Sequence, residues 1–496
     1  MSPKRLLPLM IILLVLGALA VLLKRTPPSV QLADEVGLER LVPQALRAEH
    51  INGFELYHGS KPQESVRLQK REGTWLVTSR FDTPGSSTKI QPFLSQLSTL
   101  QGELRADSPS LLGDFQITDE QALHLKVYTD APDKPAVHLL AGKGSGSNGF
   151  MRRAGEGKVY SVNLYLQSTA GVSSSATEQV PNAKPWLDLR VQNVPKEQVT
   201  AVELFSPART LRFTTPPAAP AASADATPSL SAPAAPAWQL AAPTMAYSVK
   251  AEAVESLVTT LRTLQADDVA DPAHTASYGL DTPAYRAMLT LQSSGQEARQ
   301  ATLHIGNEVP EKGGSRYARL GDTGPVYVVP QWTVQRLSPT LGTVLHLRLL
   351  QMAQDDVMQV TFQEGSTSWS VERVAGEAPA SDAALATWRL VEQPEATVDT
   401  SAMTTLLDTV DDLSADDLAA RSLAEAGLEP PQMQLTFTLR DGRTSSVWLG
   451  QAVGQESSGS YARRGDAPDV FVLATVTHKN LTDAAAKLKP GNTAKP

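Results

Sequence analysis

The sequence contains no cysteine in 496 residues, which excludes disulfide bonds, thiolate metal sites and cysteine nucleophiles together. It also has no excess of positive charge, because 44 lysines and arginines stand against 52 aspartates and glutamates. The net charge of −8 argues against nucleic acid as a partner, since contacts with phosphates need clustered cations.

Motifs that would indicate catalysis or a bound cofactor are missing as well. The eight histidines form no His-Glu-x-x-His spacing, and no Gly-x-Ser-x-Gly elbow is present. The glycine-rich stretch 141–147 resembles a phosphate-binding loop, but Lys143 is followed by glycine where that loop needs serine or threonine. We therefore predict a hairpin turn there, and no catalytic residue, metal site or cofactor in the chain.

Acidic pairs recur near the ends of helical patterns without the alternating ligands and central glycine of a calcium loop. We predict that Asp267-Asp268, Asp411-Asp412 and Asp416-Asp417 are solvated residues at or near helix ends. The pair Asp355-Asp356 is predicted to lie between two repeats.

Near the N-terminus, an uncharged run from Leu6 to Leu23 lies between two basic pairs. As a helix, its 18 residues span about 27 Å, close to the hydrocarbon thickness of a bilayer. We predict that residues 1–25 form a single-pass anchor in the inner membrane. The basic N-terminus should stay inside, which places the rest in the periplasm. The small residues Ala18-Leu19-Ala20 also permit a cleaved signal peptide.

With 41% hydrophobic and 19% charged residues, the remaining chain can form packed cores, and its length suits about three domains. A short strand with a tryptophan occurs three times, at Trp75, Trp238 and Trp388. Each copy then has five apolar residues at the spacing of one helix face, the last of them about 25 residues after the tryptophan. These residues are Ile90, Phe93, Leu94, Leu97 and Leu100, then Val254, Leu257, Val258, Leu261 and Leu264, then Met403, Leu406, Leu407, Val410 and Leu413. Pro92 predicts that the first helix begins near that residue.

After the helix, each copy has alternating apolar residues interrupted by turn residues, which predicts antiparallel strands. One strand ends in Gly142, Gly306 or Gly450. The next contains an aromatic residue and an arginine two positions apart. A further aromatic residue follows ten positions after the first, at Tyr160, Tyr327 and Phe471.

The predicted fold is α+β: an N-terminal transmembrane helix followed by three repeated modules, each an antiparallel sheet with a helix. The modules are expected at residues 46–170, 197–338 and 355–484. A disordered Ala/Pro-rich loop at 214–237 interrupts a hairpin of the second, and 485–496 is predicted to be a disordered tail.

At these landmarks the sequence resembles the bacterial envelope family called domain of unknown function 4340. The second copy carries the resemblance best, through Tyr278-Gly279-Leu280 with Pro283, Leu303-x-Ile305-Gly306 and Val326-Tyr327-Val328. The first copy departs more, because it lacks the glycine and the proline of that turn. The resemblance implies one N-terminal span and a place beside an ABC-type permease and a gliding-motility-like auxiliary subunit.

The expected function is that of a non-catalytic extracytoplasmic accessory or scaffold protein of such a transport system. The alternative is an independent module that binds envelope glycan or peptide, and a weaker one is a hydrolase. The aromatic and arginine of the repeated strand share one face, so they could bind a ligand or partner, or simply pack on the sheet. These candidate residues are Phe150, Arg152, Tyr317, Arg319, Tyr461 and Arg463.

Overall fold

A computed structural model describes residues 37–491, apart from 132, 146, 173–179, 217–237, 294, 375–386, 455–458 and 466. The described residues form two compact units. The first contains the chain up to Leu189 with Asp267–Ala273 and Pro325–Tyr327, and the second contains the rest. The predicted membrane span and residues 217–237 of the predicted loop lie outside the described residues. Within the described part, no helix combines the length and apolar character needed to cross a bilayer.

The first module is a ten-stranded sheet. Its strands are β1 (Leu38–Arg40), β2 (Gly53–His58), β3 (Lys61–Arg71), β4 (Thr74–Val77), β5 (Thr83–Pro84), β6 (Gln101–Asp107), β7 (Leu123–Tyr128), β8 (Val137–Ser145), β9 (Asn148–Arg153) and β10 (Lys158–Val162). Their order in the sheet is β1-β6-β10-β9-β8-β7-β2-β3-β4-β5. The strand pairs are antiparallel, as predicted.

The second and third modules are eight-stranded sheets. The second has β11 (Val199–Phe205), β12 (Thr210–Thr214), β13 (Gln239–Ala242), β14 (Asp268–Ala270), β15 (Tyr285–Leu291), β16 (Arg299–Glu308), β17 (Arg316–Leu320) and β18 (Val326–Val329). A two-stranded ribbon of β19 (Arg348–Gln351) and a later strand, β23 (Asp412–Ser414), is separate from them. The third has β20 (Val357–Glu364), β21 (Thr367–Arg373), β22 (Trp388–Leu390), β24 (Asp417–Ala419), β25 (Met433–Leu439), β26 (Thr444–Ala452), β27 (Gly459–Arg464) and β28 (Val470–Ala474).

These two sheets share one strand order. It is β13-β12-β11-β15-β16-β17-β18-β14 in the second module and β22-β21-β20-β25-β26-β27-β28-β24 in the third. The first sheet contains the same succession, with β5 and β1 added at its two edges. The repeats identified in the sequence are therefore repeats of topology, and the α+β class is confirmed.

Each module has a repeat helix before its central strands and a closing helix at its end. In chain order the helices are α1 (Ser87–Ser98), α2 (Leu166–Thr169), α3 (Ala251–Arg262), α4 (Gln331–Leu337), α5 (Leu341–Val344), α6 (Thr400–Asp411) and α7 (Thr475–Lys487). Short 3-10 helices precede the first long strand of each module, at Ala48–His50, Lys196–Gln198 and Gln354–Asp356.

The repeat helices α1, α3 and α6 bury the apolar face that the sequence predicts. All fifteen predicted positions are buried, with at most 5% of the residue exposed, but Leu100, Leu264 and Leu413 lie just beyond the ends of the helices. In the first module Phe93 of α1 packs on Phe54 of β2, with ring centroids 5.2 Å apart. Burying such side chains supplies most of the stability of a short amphipathic helix.

The three repeat tryptophans occupy equivalent places. Trp75 pairs with Lys70 and Trp388 with Arg373, and Gln239, the residue after Trp238, pairs with Thr214. The residue two positions after each tryptophan then faces Leu68, Phe213 or Val371. All three indoles are buried, so each closes the same corner of its core.

Three predictions about boundaries are wrong. Helix α1 begins at Ser87 and contains Pro92, which has no N–H to donate to Thr88 O, so the helix forms although it lacks this one hydrogen bond. Thr214, placed in the disordered loop, is the last residue of β12. The tail predicted from 485 is helical to Lys487, and Leu488 is 2% exposed, because this apolar end packs on the third module.

In each of the first two modules, the segment after the closing helix forms a hydrogen bond with the residue that precedes the repeat helix. Ser86 N donates to Trp186 O at 2.8 Å in the first, and Lys250 N donates to Val344 O at 2.8 Å in the second. Both donors precede the repeat helix by one residue. In the third module the longer α7 instead buries its own C-terminal end through Leu481, Ala484 and Ala485.

Candidate functional site

The candidate aromatic and arginine residues lie on the outer face of each sheet, opposite the repeat helix. In β2, Phe54 faces the helix, so Tyr57 faces outward, because side chains alternate along a strand. Tyr57 pairs with His124, His124 with Leu140, and Leu140 with Arg152. This outer row contains one residue from each of four neighbouring strands.

The equivalent rows of the other modules keep only the arginine. The register places Phe205, Arg286, His304 and Arg319 in the second module, and Gln363, Gln434, Trp448 and Arg463 in the third. The first three positions therefore change chemistry from module to module, whereas the fourth is arginine each time.

Each of these arginines holds the turn that follows its strand. Arg152 is 3% exposed; its Nη1 donates to Glu156 O at 3.2 Å, its Nε to Ile117 O at 2.8 Å, and its Nη2 pairs with Asp119. Arg319 Nε donates to Gly321 O at 3.2 Å, and Arg463 Nε to Ala467 O at 2.7 Å. The guanidinium thus satisfies turn carbonyls in all three modules.

The aromatic residues pack against the loop that precedes the central strands. Phe115 and Phe150 meet edge to face at 4.7 Å, and Tyr278 and Tyr317 stack at 3.9 Å between ring centroids. In the third module Tyr461 belongs to a buried cluster with Ala426 and Leu428. These contacts give the six candidates a structural role, and ligand binding by them stays a prediction.

The glycine predicted to end one strand of each module lies two or three residues before the end of that strand, and it is needed for this loop to approach. Asn307 N donates to Tyr278 O at 2.7 Å, and a Cβ on Gly306 would overlap that same carbonyl. Gly142 meets Phe115 O and Gly450 meets Ala426 O in the same way. The stretch that resembles a phosphate-binding loop therefore lies in the β8–β9 hairpin, as predicted.

A pair of imidazoles distinguishes the outer face of the first module. His124 Nε2 lies 2.7 Å from Asp119 O, a carbonyl, so His124 donates there and its Nδ1 accepts. That Nδ1 is 3.0 Å from His138 Nε2, which must donate. Burial lowers the pKa of both rings. For His138, the neighbouring His124 and Lys126 lower the pKa further, to about 4.

This pair predicts a stability loss in weak acid. As the pH falls from 6.5 towards 4, His138 becomes protonated in the unfolded chain but stays neutral in the folded chain. The free energy of unfolding therefore decreases through this pH window. Allowing for the half-exposed ring, we expect the free energy of unfolding to fall by about 1–2 kcal/mol from this group. Urea unfolding of the wild type and His138→Gln at both ends of the window measures it.

In His138→Gln this part of the acid sensitivity should disappear, and replacing the exposed His50 by Gln controls for the loss of any one imidazole. Asp119, Lys126 and Arg152 surround the pair and remain in every variant. An equal acid sensitivity of the wild type and His138→Gln would contradict the assignment.

Two aspartates predicted to be solvated instead bind arginines. In the second unit, Arg209 Nη1 and Nη2 donate to the two carboxylate oxygens of Asp417 at 2.5 and 2.8 Å. In the first unit, Arg80 Nη2 donates to Asp268 Oδ1 at 2.6 Å. Only 19% of the Asp417 side chain and 22% of the Asp268 side chain are exposed.

Both aspartates also accept from the next backbone N–H, that of Leu418 or Val269. They therefore occupy one position of the repeat, Ala-Asp-Asp-x-Ala, at 266–270 and 415–419. This pattern is visible in the sequence and could have identified the site, but the arginine lies 208 or 188 residues away along the chain.

The described residues contain no group of three histidine, aspartate or glutamate side chains that could hold a metal ion. Their polar clusters on the outer faces consist of groups that donate to, or accept from, their own module.

The model of a family described as a domain of unknown function, DUF4340, matches residues 75–227, 238–386 and 388–489. The matches begin at the three repeat tryptophans, so each runs through most of one module, and the first two continue into the first hairpin of the next. No curated protein matches the chain.

Proposed function

Since the chain belongs to the DUF4340 family, whose description assigns no activity, we propose a function from its architecture: a non-catalytic, membrane-anchored scaffold of the cell envelope. Its partner in this proposal is an ABC-type permease with its auxiliary subunits. The modules would present a contact surface outside the inner membrane.

The observation that supports the proposal is that the second and third modules are held together by hydrogen bonds and an ion pair in the second unit. Gly342 N, which follows the closing helix of the second module, donates to Asp416 O at 2.9 Å, and Ala415 N donates to Leu347 O at 2.8 Å. The ion pair between Arg209 and Asp417 lies at the same junction. Backbone bonds and a bidentate ion pair restrict the angle between two modules, as a spacer or scaffold requires.

The proposed anchor supports a division of labour with a partner. The run from Leu6 to Leu23 has no ionisable residue, so one such helix provides no path for a proton or ion. Gly17 and Ala20 are small residues three apart, a spacing that lets a neighbouring transmembrane helix pack closely. In this proposal the permease transports, and the chain holds or positions components outside the membrane.

Co-purification from native membranes tests the proposal. We expect the tagged full-length chain, extracted in mild detergent, to bring down permease and ATPase subunits. Replacing both Gly17 and Ala20 by leucine should reduce their recovery at least about tenfold, because bulky side chains prevent close helix packing. Val15→Leu, which enlarges an already bulky position, is the matched control.

Recovery of the chain alone under several detergents would overturn the transporter association. Mass spectrometry of the N-terminal peptide in the same preparation distinguishes the membrane anchor from the cleaved signal peptide. An intact Leu6–Leu23 segment supports the anchor, and a chain that starts at Val21 identifies a cleaved signal peptide.

A further inference from the structure

Trp332, the second residue of α4, is exposed although its helix is firmly held. Fully 54% of Trp332 is accessible, whereas Thr333, Val334 and Leu337 of the same helix are buried. These buried residues fix the helix on the second module and leave the indole at the surface. An exposed indole on a rigid element costs little conformational entropy when it binds a ligand.

A cleft lies on each side of this indole, between α4 and the repeat helix α3. One has a volume of about 590 Å³ and the other about 540 Å³. Ser256, Trp332 and Arg336 line both, so the two clefts form one groove with the indole at its centre. Both clefts are open to solvent, so a ligand would lie along the surface rather than inside an enclosed cavity.

Hydroxyl groups dominate the polar lining of the groove. Ser256, Thr259 and Thr260 of α3 and Thr263, the residue that follows the helix, line it. Thr260 Oγ1 donates to Ser256 O at 3.0 Å and Thr263 Oγ1 donates to Thr259 O at 2.8 Å, so both threonine oxygens can accept a bond from a ligand.

Arg336 joins the indole to this hydroxyl row. Its Cζ lies 5.4 Å from the Trp332 ring centroid, and its Nη1 donates to Thr260 Oγ1 at 3.3 Å. The guanidinium has five N–H groups, so it can also donate to a ligand in the groove.

Two carboxylates, Glu252 and Glu255, also line the groove. Glu255 accepts from Trp238 Nε1 at 3.1 Å and pairs with Lys196 at 2.7 Å. Burial raises the pKa of Glu255, but these two partners outweigh it and the pKa is lowered, so the group carries its charge at neutral pH. Lys196 neutralises Glu255, which leaves the single carboxylate of Glu252 opposite the guanidinium of Arg336, so the lining is close to neutral and suits an uncharged ligand.

We propose that this groove binds a neutral carbohydrate chain, with a pyranose ring stacked on Trp332. A pyranose presents an apolar C–H face to an aromatic ring and hydroxyl groups around its edge. Those hydroxyls can donate to the threonine oxygens of α3 and to Glu252, and accept from Arg336.

The groove suits a carbohydrate better than a peptide. A peptide added as a strand needs an open sheet edge, whereas this groove lies between helices. The sugar therefore matches both the aromatic centre and the polar wall.

The third module has the same cleft without the ring. Its volume is about 480 Å³, and Thr405, Asp408, Thr409 and Asp412 take the places of Ser256, Thr259, Thr260 and Thr263. Val476, 64% exposed, follows β28 as Trp332 follows β18. The carbohydrate site is thus specific to the second module, and the third supplies an internal comparison.

Saturation-transfer NMR and calorimetry on the full-length chain test the proposal with three neutral probes: chitotetraose, cellotetraose and maltotetraose. The detergent must lack a sugar headgroup, which would compete for the groove. We expect at least one probe to bind with a dissociation constant of about 0.1–1 mM, the range of a single stacked sugar at an open site. Trp332→Ala should weaken that binding at least about tenfold, and Trp332→Phe less.

Val476→Ala, at the equivalent position of the third module, should leave the affinity unchanged. Because Trp332 is largely exposed, Trp332→Ala should also keep the wild-type thermal unfolding midpoint, which separates loss of the ring from loss of the fold. Absence of binding for all three tetrasaccharides up to about 10 mM overturns the proposal. Binding that Trp332→Ala leaves intact overturns it too.

Discussion

Replacing Gly306 by alanine is expected to lower the free energy of unfolding of the second module by about 2–4 kcal/mol. The added Cβ would overlap Tyr278 O and crowd the Gly279 backbone at 3.1 Å, so a loop or a strand must move. Either movement weakens the bond from Asn307 N to Tyr278 O and the Tyr278–Tyr317 stack. Urea unfolding followed by tryptophan fluorescence measures the change.

Gly113→Ala is the matched control, because Gly113 lies in the corresponding loop of the first module and a methyl group added there would have no atom within 4 Å. Its effect should be within about 0.5 kcal/mol of zero or slightly stabilising. Equal unfolding midpoints for Gly306→Ala and Gly113→Ala would show that the close approach of the loop contributes nothing to stability.

A second large effect is expected at the junction within the second unit. In Gly342→Ala the new methyl group would overlap Ala415 O and lie 2.7 Å from Asp416 O, which accepts the Gly342 N–H. Both carbonyls belong to backbone, so the junction must separate rather than adjust a side chain. We expect hydrogen exchange in residues 341–351 and 412–419 to accelerate at least about tenfold, because local opening there costs less free energy.

Thr343→Ala is the control for this variant, since it alters the next, exposed residue without adding a group against the third module. The central strands of each sheet should keep their protection in both proteins. If exchange at 412–419 is the same in Gly342→Ala and the wild type, the junction is not the rigid joint on which the scaffold proposal depends.

The sequence predicts the repeat helices almost completely because their signal is local. Four of the five apolar residues at helical spacing lie on the buried face of the helix in each copy, and the fifth is buried just beyond the helix end. The central strands follow for a similar reason, since alternation and turn residues mark both ends. The topology of the other modules then follows from the repeats, because the strand order of one module applies to all three.

The short edge strands could not be predicted in the same way. β14 and β24 have three residues each and include an aspartate, which has low strand propensity, so their form depends on pairing with a distant strand. The leading strands β1 and β19 are also short, with three and four residues. Their hydrogen-bond partners lie more than sixty residues away in both cases.

For the candidate sites as well, features with a local sequence pattern could be predicted, whereas features that depend on distant contacts could not. The aromatic–arginine strand was visible as a pattern, but only the structure shows that Arg152, Arg319 and Arg463 hold turns. The exposure of Trp332 depends on how α4 sits on the second module, and a Trp at a helix start gives no sequence signal of exposure. Surface position is a tertiary property and needs the fold.

The family matches begin inside the sheets rather than between them, and this affects how modules can be lost or gained. Each match begins at a repeat tryptophan, two strands after the first long strand of its sheet. Loss of one match, such as residues 238–386, would join the β11–β12 hairpin to β22 and the strands that follow. The composite sheet would keep the native strand order, so recombination at the tryptophans can shorten or lengthen the array without leaving an incomplete sheet.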